Sequence, residues 1–192
     1  FRTSGGSIDI GDREYDEIVG GTIAWNQLAQ NGDFASDGNW SAYGNGEYAT
    51  YAREDNSGKI TVNTVPDATY YVMMQNYDNS SYGSLAKAIE GHKYLYSADV
   101  KVSKTMVMRV LNSNGGVTTD KSCTAETWTT LSGISVASRS LMYMGIQPRY
   151  VEDLEVGLTF SVKNVINIDL TQMFGATIAD YIYGLEQAKE GA

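Results

Sequence analysis

The chain has 192 residues, 42% of them apolar, with 14 Tyr, 20 Gly, 2 Pro and a formal net charge of -9. That charge repels phosphate backbones and no basic stripe offsets it, so nucleic acid is excluded as a partner. No stretch has the length of a membrane span or the charged-then-apolar plan of a signal peptide, and no membrane partner is expected.

Residues 1–24, "FRTSGGSIDIGDREYDEIVGGTIA", are polar and Gly-rich, with Asp9, Asp12, Glu14, Asp16 and Glu17 close together. Such a run reads as a solvated N-terminal arm or linker, and its spacing fits no EF-hand calcium loop. The chain starts with Phe1 rather than Met, which reads as a fragment or mature piece of a longer protein.

Residues 25–174 read as one β-rich domain, since Tyr, Thr, Val and Ile suit pleated, half-buried surfaces. It opens on "NQLAQNGDFASDGNWSAYGNGEYATY". Asn31-Gly32 and Asn45-Gly46 are turn signals, with Gly expected to supply the unusual backbone angle. Phe34 and Trp40 are expected to plug the core. By strict parity Tyr48 and Tyr51 fall on opposite faces of a strand, so one ring is expected to be exposed. In "KITVNTV" Ile60, Val62 and Thr64 alternate with Thr61, Asn63 and Val65. Further strands are predicted at "TYYVMMQN", "KYLYSADVKV", "TMVMRVLN", "TWTTLSGISVA", "LMYMGI" and "VGLTFSVKNVINIDL". Clusters such as "DNSG" and "NSNGG" separate them. The link "NYDNSSYGSLAKAIEG" is too polar for a strand, with a short helical turn expected at "SLAKAIE". Short strands at this spacing predict an all-β two-sheet sandwich or barrel.

Residues 175–192 change period. Ile178, Tyr181, Ile182 and Leu185 fall at i, i+3, i+4 and i+7, which predicts a short amphipathic C-terminal helix packed on the sandwich or on a neighbouring chain and leading to a further segment. Thr177 with Asp180 is an imperfect capping pair at its start.

Catalytic signatures are missing. There is no G-x-S-x-G elbow, no H-E-x-x-H, no P-loop and no G-x-G-x-x-G after a strand. With one His and one Cys, any nucleophile-histidine arrangement has to run through His92, which is read as a packed or exposed structural residue. Cys123 is read as a small buried apolar residue. Adjacent Glu152 and Asp153 are a surface feature. Carboxylates from distant strands can still meet, but nothing positive marks an enzyme, and no cofactor is expected.

Several phrases carry a likeness. "NGDFASDGNWS", "IEGHKYLYSADVKVS", "ETWTTLSG" and "GLTFSVKNVINIDL", in that order over residues 26–170, resemble the carbohydrate-binding-module families with a jelly-roll, galactose-binding-like sandwich. The flanking phrases "TIAWNQLAQNGDF" and "VKNVINIDLTQMFGATIADYIYGLEQA" resemble modules of bacteriophage tail and other virion-appendage proteins, especially of gut-bacterial phages. The likeness implies a non-catalytic jelly-roll β-sandwich in an extracellular virion protein, serving host-surface attachment or purely as a structural spacer. Its implied partners are other virion proteins, a host-surface glycan and, by analogy, further copies in a trimer. The alternative is a secreted bacterial carbohydrate-binding module linked to a glycoside hydrolase. In a phage protein the "NWS" and "NSS" triplets at Asn39 and Asn79 are not glycosylation sites. The sugar-binding families commonly hold a structural calcium where this chain has Ala35 and Lys163 or Asn164. A hard cation wants anionic oxygens, so no metal is expected there, with Asp33 and Asp169 the residues that would have to rescue a weaker site.

Sugar recognition needs rings under a pyranose and polar groups that reach hydroxyls. The densest candidate is the loop "QNYDNSSYG", with Gln75, Asn76, Tyr77, Asp78, Asn79 and Tyr82 as expected ligand-binding residues. Its plainer reading is an ordinary surface loop. Tyr143, Arg149 and Tyr150, beside Pro148, are a second candidate, against a plain strand and turn.

Overall fold

The computed structural model describes residues 28–29, 31–76, 88–112, 116–117, 120–140 and 144–190. Within them the chain builds β1 (Trp40–Ala42), β2 (Ala49–Glu54), β3 (Ser57–Val62), β4 (Met74–Asn76), β5 (Lys93–Val102) and β6 (Met106–Asn112). Then come β7 (Gly116–Val117), β8 (Lys121–Cys123), β9 (Thr129–Val136), β10 (Met144–Pro148) and β11 (Thr159–Asp169). Two helices close the chain, α1 (Leu170–Phe174) and α2 (Ala176–Glu190). One sheet runs β2-β3-β11-β5-β9; the other runs β1-β4-β10-β6, with β7 and β8 both on the free side of β6. Every strand pair is antiparallel.

The period-two pattern is what closes the sandwich. In β5 the residues Tyr94, Tyr96, Ala98, Val100 and Val102 are buried while Lys93, Leu95, Ser97, Asp99 and Lys101 are only half-buried. β6 repeats the pattern, with Met106, Met108, Val110 and Asn112 inward. Between the sheets Phe34, Trp40, Ile60, Met74, Tyr96, Ile146 and Phe160 form one continuous core. Phe34 and Trp40 are both core plugs as expected, with ring centroids 4.9 Å apart.

Local geometry departs from the sequence reading at several points. At Asn31-Gly32 the positive φ belongs to Asn31 (51°) and not to the glycine. Asn31 tolerates it because its amide ties down the following loop. Its Nδ2 donates to the carbonyls of Ser36 (2.7 Å) and Gly38 (3.1 Å), and its Oδ1 accepts the Ser36 N–H. Its carbonyl accepts from Trp40 Nε1 at 2.9 Å. Gly46, at φ 84°, does take the role expected of it. Tyr48 precedes β2, so strand parity does not apply to it, and both Tyr48 and Tyr51 are half-buried against the core. "TYYVMMQN" is half strand: Thr69–Val72 is a 3-10 turn and only Met74–Asn76 pairs. The helical turn expected at residues 84–90 lies largely outside the described residues.

The C-terminal end also differs. Asp169 ends β11 and caps α1, its Oδ1 accepting the Gln172 N–H at 2.9 Å. Gly175 (φ 81°) then breaks the chain between α1 and α2. α2 lies on the outer face of the five-stranded sheet, where Ala179 and Ile182 meet Leu95, Ile134, Ile168 and Leu170. Tyr181 and Leu185, expected on the buried face, are 67% and 48% exposed. The small side chain of Ala179 allows close approach and turns the contact stripe toward itself. Lys93, which pairs with Asp180 and whose N–H donates to Thr171 Oγ1 at 2.9 Å, fixes that rotation.

Asp169 joins sheet and helices. It is 3% exposed, and its second oxygen meets His92 Nδ1 at 2.8 Å, which ties the half-buried imidazole just before β5 to the end of β11. Replacing Asp169 by Ala removes the cap and strands its partners, and is expected to cost about 2–3 kcal/mol in urea unfolding. Asp169→Asn should recover part of it.

Tyr94 sits beside the same carboxylate. Burial, above all, pushes its phenol up to about 12; Asp169 adds to the effect and the Ile89 N–H, 2.9 Å away, opposes it. An unfolded tyrosine titrates near about 10, so the stability linked to Tyr94 is fully present below that pH and is lost as pH rises through about 12. The urea midpoint is therefore expected to fall across this window, and less steeply in Tyr94→Phe.

Candidate functional site

Of the expected ligand residues, two are described. Gln75 and Asn76 belong to β4 and not to a loop. Asn76 is fully buried and its Nδ2 donates to the Asn39 carbonyl at 2.8 Å, so it holds β4 against the turn before β1 and offers nothing to a ligand. Parity puts Gln75 on the opposite, outward face, where its Nε2 donates to Ser41 Oγ at 3.2 Å. Tyr77, Asp78, Asn79 and Tyr82 lie outside the described residues, as does Tyr143. In the second candidate, Arg149 pairs with Asp120 at 2.7 Å and stacks its guanidinium 5.0 Å from the centroid of the 40% exposed Tyr150.

The outward face of the six-stranded sheet carries more than Gln75. Ser41, Arg109, Leu111, Gly145 and Gln147 share its parity, and the buried Met73 packs over Gly145 there. Gln147 is buried. With its amide oriented to satisfy its neighbours, Oε1 accepts from Arg109 Nη2 (2.8 Å), Arg109 Nε (3.3 Å) and Thr69 Oγ1 (3.3 Å). Arg109 is half-buried and, among the described residues, has no carboxylate within 4.0 Å. Its guanidinium carries five N–H donors, more than Gln147 Oε1 takes up.

Aromatic rings stand at the margin of this face. The 3-10 turn that supplies Thr69 also supplies Tyr70 and Tyr71, and the Tyr43 N–H donates to the Met73 carbonyl at 2.9 Å. Tyr43 and Tyr70 are 36% and 44% exposed and meet edge-on, centroids 5.9 Å apart. Tyr71 packs behind both, 4.0 Å from Tyr70 and 6.3 Å from Tyr43, and Tyr48 packs on Tyr71 at 4.8 Å. The Tyr70 phenol is pushed up to about 12, chiefly by its hydrogen bond to Tyr71, with desolvation, Tyr71 itself, Asp67 and Tyr43 adding. Apolar ring faces beside a donor array can take a pyranose, with rings under its C–H face and amide and guanidinium on its hydroxyls.

The sequence reading missed Tyr43, Tyr70, Tyr71, Arg109 and Gln147. A signal existed for one of them: Arg109 is a lone cation at an outward position of "TMVMRVLN", an otherwise uncharged segment.

Other chemistry is structural. Cys123 is buried, which pushes its thiol up and away from the reactive thiolate. Asp169 is committed to His92 and the helix cap, Asp33 Oδ1 accepts the Ala35 N–H at 3.2 Å, and Asn164 Nδ2 donates to Asp99. Among the described residues no three of His, Cys, Asp and Glu converge as metal ligands. An open depression of about 520 Å³ is lined by Ala29, Asn31, Gly32, Asp33, Asn164, Val165 and Ile166, without an aromatic ring.

No protein-family model matches the sequence, and no curated protein does. Solved structures do match. A CBM4 carbohydrate-binding module superposes with TM-score 0.53 at 12% identity, covering 73% of this chain and 99% of that one. The CBM22-2 xylan-binding domain of Paenibacillus barcinonensis Xyn10C gives 0.50 at 12% identity, covering 71% and 95%. The arabinose-bound α-L-arabinofuranosidase MgGH51 gives 0.52 at 14% identity, with 77% of this chain matched to 27% of that longer one. At such identities the likeness carries the fold and nothing finer. The chain has the jelly-roll β-sandwich fold of carbohydrate-binding modules, with a short helix added at its C-terminal end.

Proposed function

We propose that this chain is a non-catalytic carbohydrate-binding module whose glycan lies across the outer face of the six-stranded sheet. One observation carries the reading: Thr69, which bonds Gln147 beside Arg109, belongs to the same 3-10 turn as the partly exposed Tyr70, whose ring meets that of Tyr43. Tyr43 and Tyr70 stack on the sugar, Arg109 and Gln75 reach its hydroxyls, and Gln147 aims the guanidinium. Tyr77, Asp78, Asn79 and Tyr82, which follow β4 in sequence, are kept as proposed ligand contacts. Asn76 is withdrawn from the site on account of its burial.

The biological setting is proposed from the flanking phrases: a module of a phage virion appendage, exposed on the particle. There it joins other virion proteins, trimeric by analogy, and touches a host-surface glycan. The secreted reading, a module linked to a glycoside hydrolase, draws on the arabinofuranosidase, of whose chain the matched part is 27%.

A glycan array holding bacterial surface polysaccharides and plant polysaccharides, probed with and without chelator, tests the proposal. Saturable binding unchanged by chelator is expected. Preference for bacterial polysaccharides favours the virion setting, and preference for xylan or arabinan favours the secreted one. A clean negative from folded protein rejects the binding function and leaves a structural spacer.

A further inference from the structure

The opposite face of the sandwich carries a second, differently built surface. α2 covers the outer face of the five-stranded sheet at Leu95, Ile134 and Ile168 and leaves the other end of that face open. There Trp128, just before β9, is 37% exposed. Lys163 Nζ lies 4.2 Å from its ring centroid and Lys101 Nζ 5.4 Å. Among the described residues neither lysine has a carboxylate within 4.0 Å, whereas Lys59, Lys93, Lys104 and Lys189 each do.

This is unexpected in a chain of net charge -9. Lys163 stands directly across the ladder from Asp99, a natural position for an ion pair. Asp99 is otherwise engaged: Oδ1 accepts from Thr130 Oγ1 at 2.6 Å and Oδ2 from Asn164 Nδ2 at 2.7 Å. Asn164 reaches it from the β11 bulge, where the register shifts between Lys163 and Ile166 and Asn164 takes φ 51°. Bulges of this kind re-aim side chains, and here one occupies the local carboxylate and leaves two ammonium groups converging on one indole.

We propose that this patch is a second ligand site, for an anionic sugar of the uronic-acid class. The carboxylate sits between Lys101 and Lys163, the C–H face of the pyranose meets Trp128, and the exposed Thr130 and Asn164, both bonded to Asp99, border it. A neutral sugar leaves the two charges unanswered. The site lies on the other sheet from Tyr43 and Tyr70 and stands or falls apart from that face.

The test is a titration of 15N-labelled protein with a galacturonic acid trimer, a neutral galactose trimer and inorganic phosphate, following the Trp128 indole N–H. Its signal is identified by its loss in Trp128→Phe. The acidic trimer is expected to shift the signal saturably, with weaker binding at higher salt. The K101Q/K163Q double variant should weaken it roughly fivefold to tenfold, as two exposed charge pairs would, and Tyr43→Ala/Tyr70→Ala should leave it intact. The proposal is overturned by the absence of a saturable shift up to about 10 mM, an affinity too weak to matter. An equal response to the neutral trimer or to phosphate, or unchanged affinity in a folded K101Q/K163Q protein, overturns it as well.

Discussion

Phe34→Ala is expected to lose about 3–5 kcal/mol in equilibrium denaturation, a large part of what a domain of this size has to spare. Phe34 is fully buried, and its ring packs on Trp40 at 4.9 Å. It also lies so close to Gly58 that a Cβ added there would sit 2.6 Å from its Cε1 and 2.9 Å from Met74 Sδ. The absent side chain at Gly58 and the ring of Phe34 fill one volume between β3 and β4. The backbone at Phe34 is held at φ 54°, an angle costly for a non-glycine residue, and the packing of the ring is what offsets it. Truncation therefore opens a cavity while the strained angle remains. Phe34→Leu should lie between the two. Gly58→Ala should cost roughly 1–3 kcal/mol by overpacking the same volume. A loss below about 1 kcal/mol for Phe34→Ala would mean the loop relaxes freely and the plug is not needed.

The second large effect concerns binding. Tyr43→Ala and Tyr70→Ala are each expected to weaken glycan affinity about tenfold, the loss of roughly 1.4 kcal/mol of ring contact. The double variant should fall below detection by titration calorimetry, while its urea midpoint changes little because both rings are already partly in solvent. Tyr70→Phe separates two roles: it keeps the stacking face and removes the hydroxyl beside Tyr71. Near-parent affinity in Tyr70→Phe identifies the ring itself as the contact. Arg109→Lys should bind as poorly as Arg109→Ala, since a lysine cannot both hold Gln147 and present a second planar pair of donors. Full affinity in Tyr43→Ala/Tyr70→Ala would contradict the assignment of this face.

Much of the sandwich was legible because its strands alternate strictly. β5, β6, β9 and β11 lie where "KYLYSADVKV", "TMVMRVLN", "TWTTLSGISVA" and "VGLTFSVKNVINIDL" were predicted. The helix after residue 175 was legible from its period, but its contact face was not. Tyr181 and Leu185 satisfy the apolar spacing and still face water, because Ala179 and the Lys93–Asp180 pair set the rotation. Asp169 as the cap of α1 was hidden for a similar reason: "INIDLTQMF" reads as a strand until His92, far away in sequence, is seen to hold that carboxylate.

The candidate face was harder still. A loop dense in Asn and Tyr is conspicuous in a sequence, so Gln75 through Tyr82 attracted attention, yet Asn76 turns inward to the Asn39 carbonyl. The donor array is assembled from Thr69, Arg109 and Gln147 on three separate elements, and the rings from Tyr43 and Tyr70 on two 3-10 turns. No local spacing connects such residues. Only the antiparallel register of β10 on β6 brings Gln147 opposite Arg109.

The most direct test of the central claim is a chemical-shift map of the labelled protein with the best-binding glycan from the array. Saturable shifts centred on Tyr43, Tyr70, Gln75, Arg109 and Gln147 are predicted. Shifts confined to the depression around Asn31, Asp33 and Asn164, or to the Trp128 end of the opposite sheet, would contradict the assignment of the glycan to the six-stranded face.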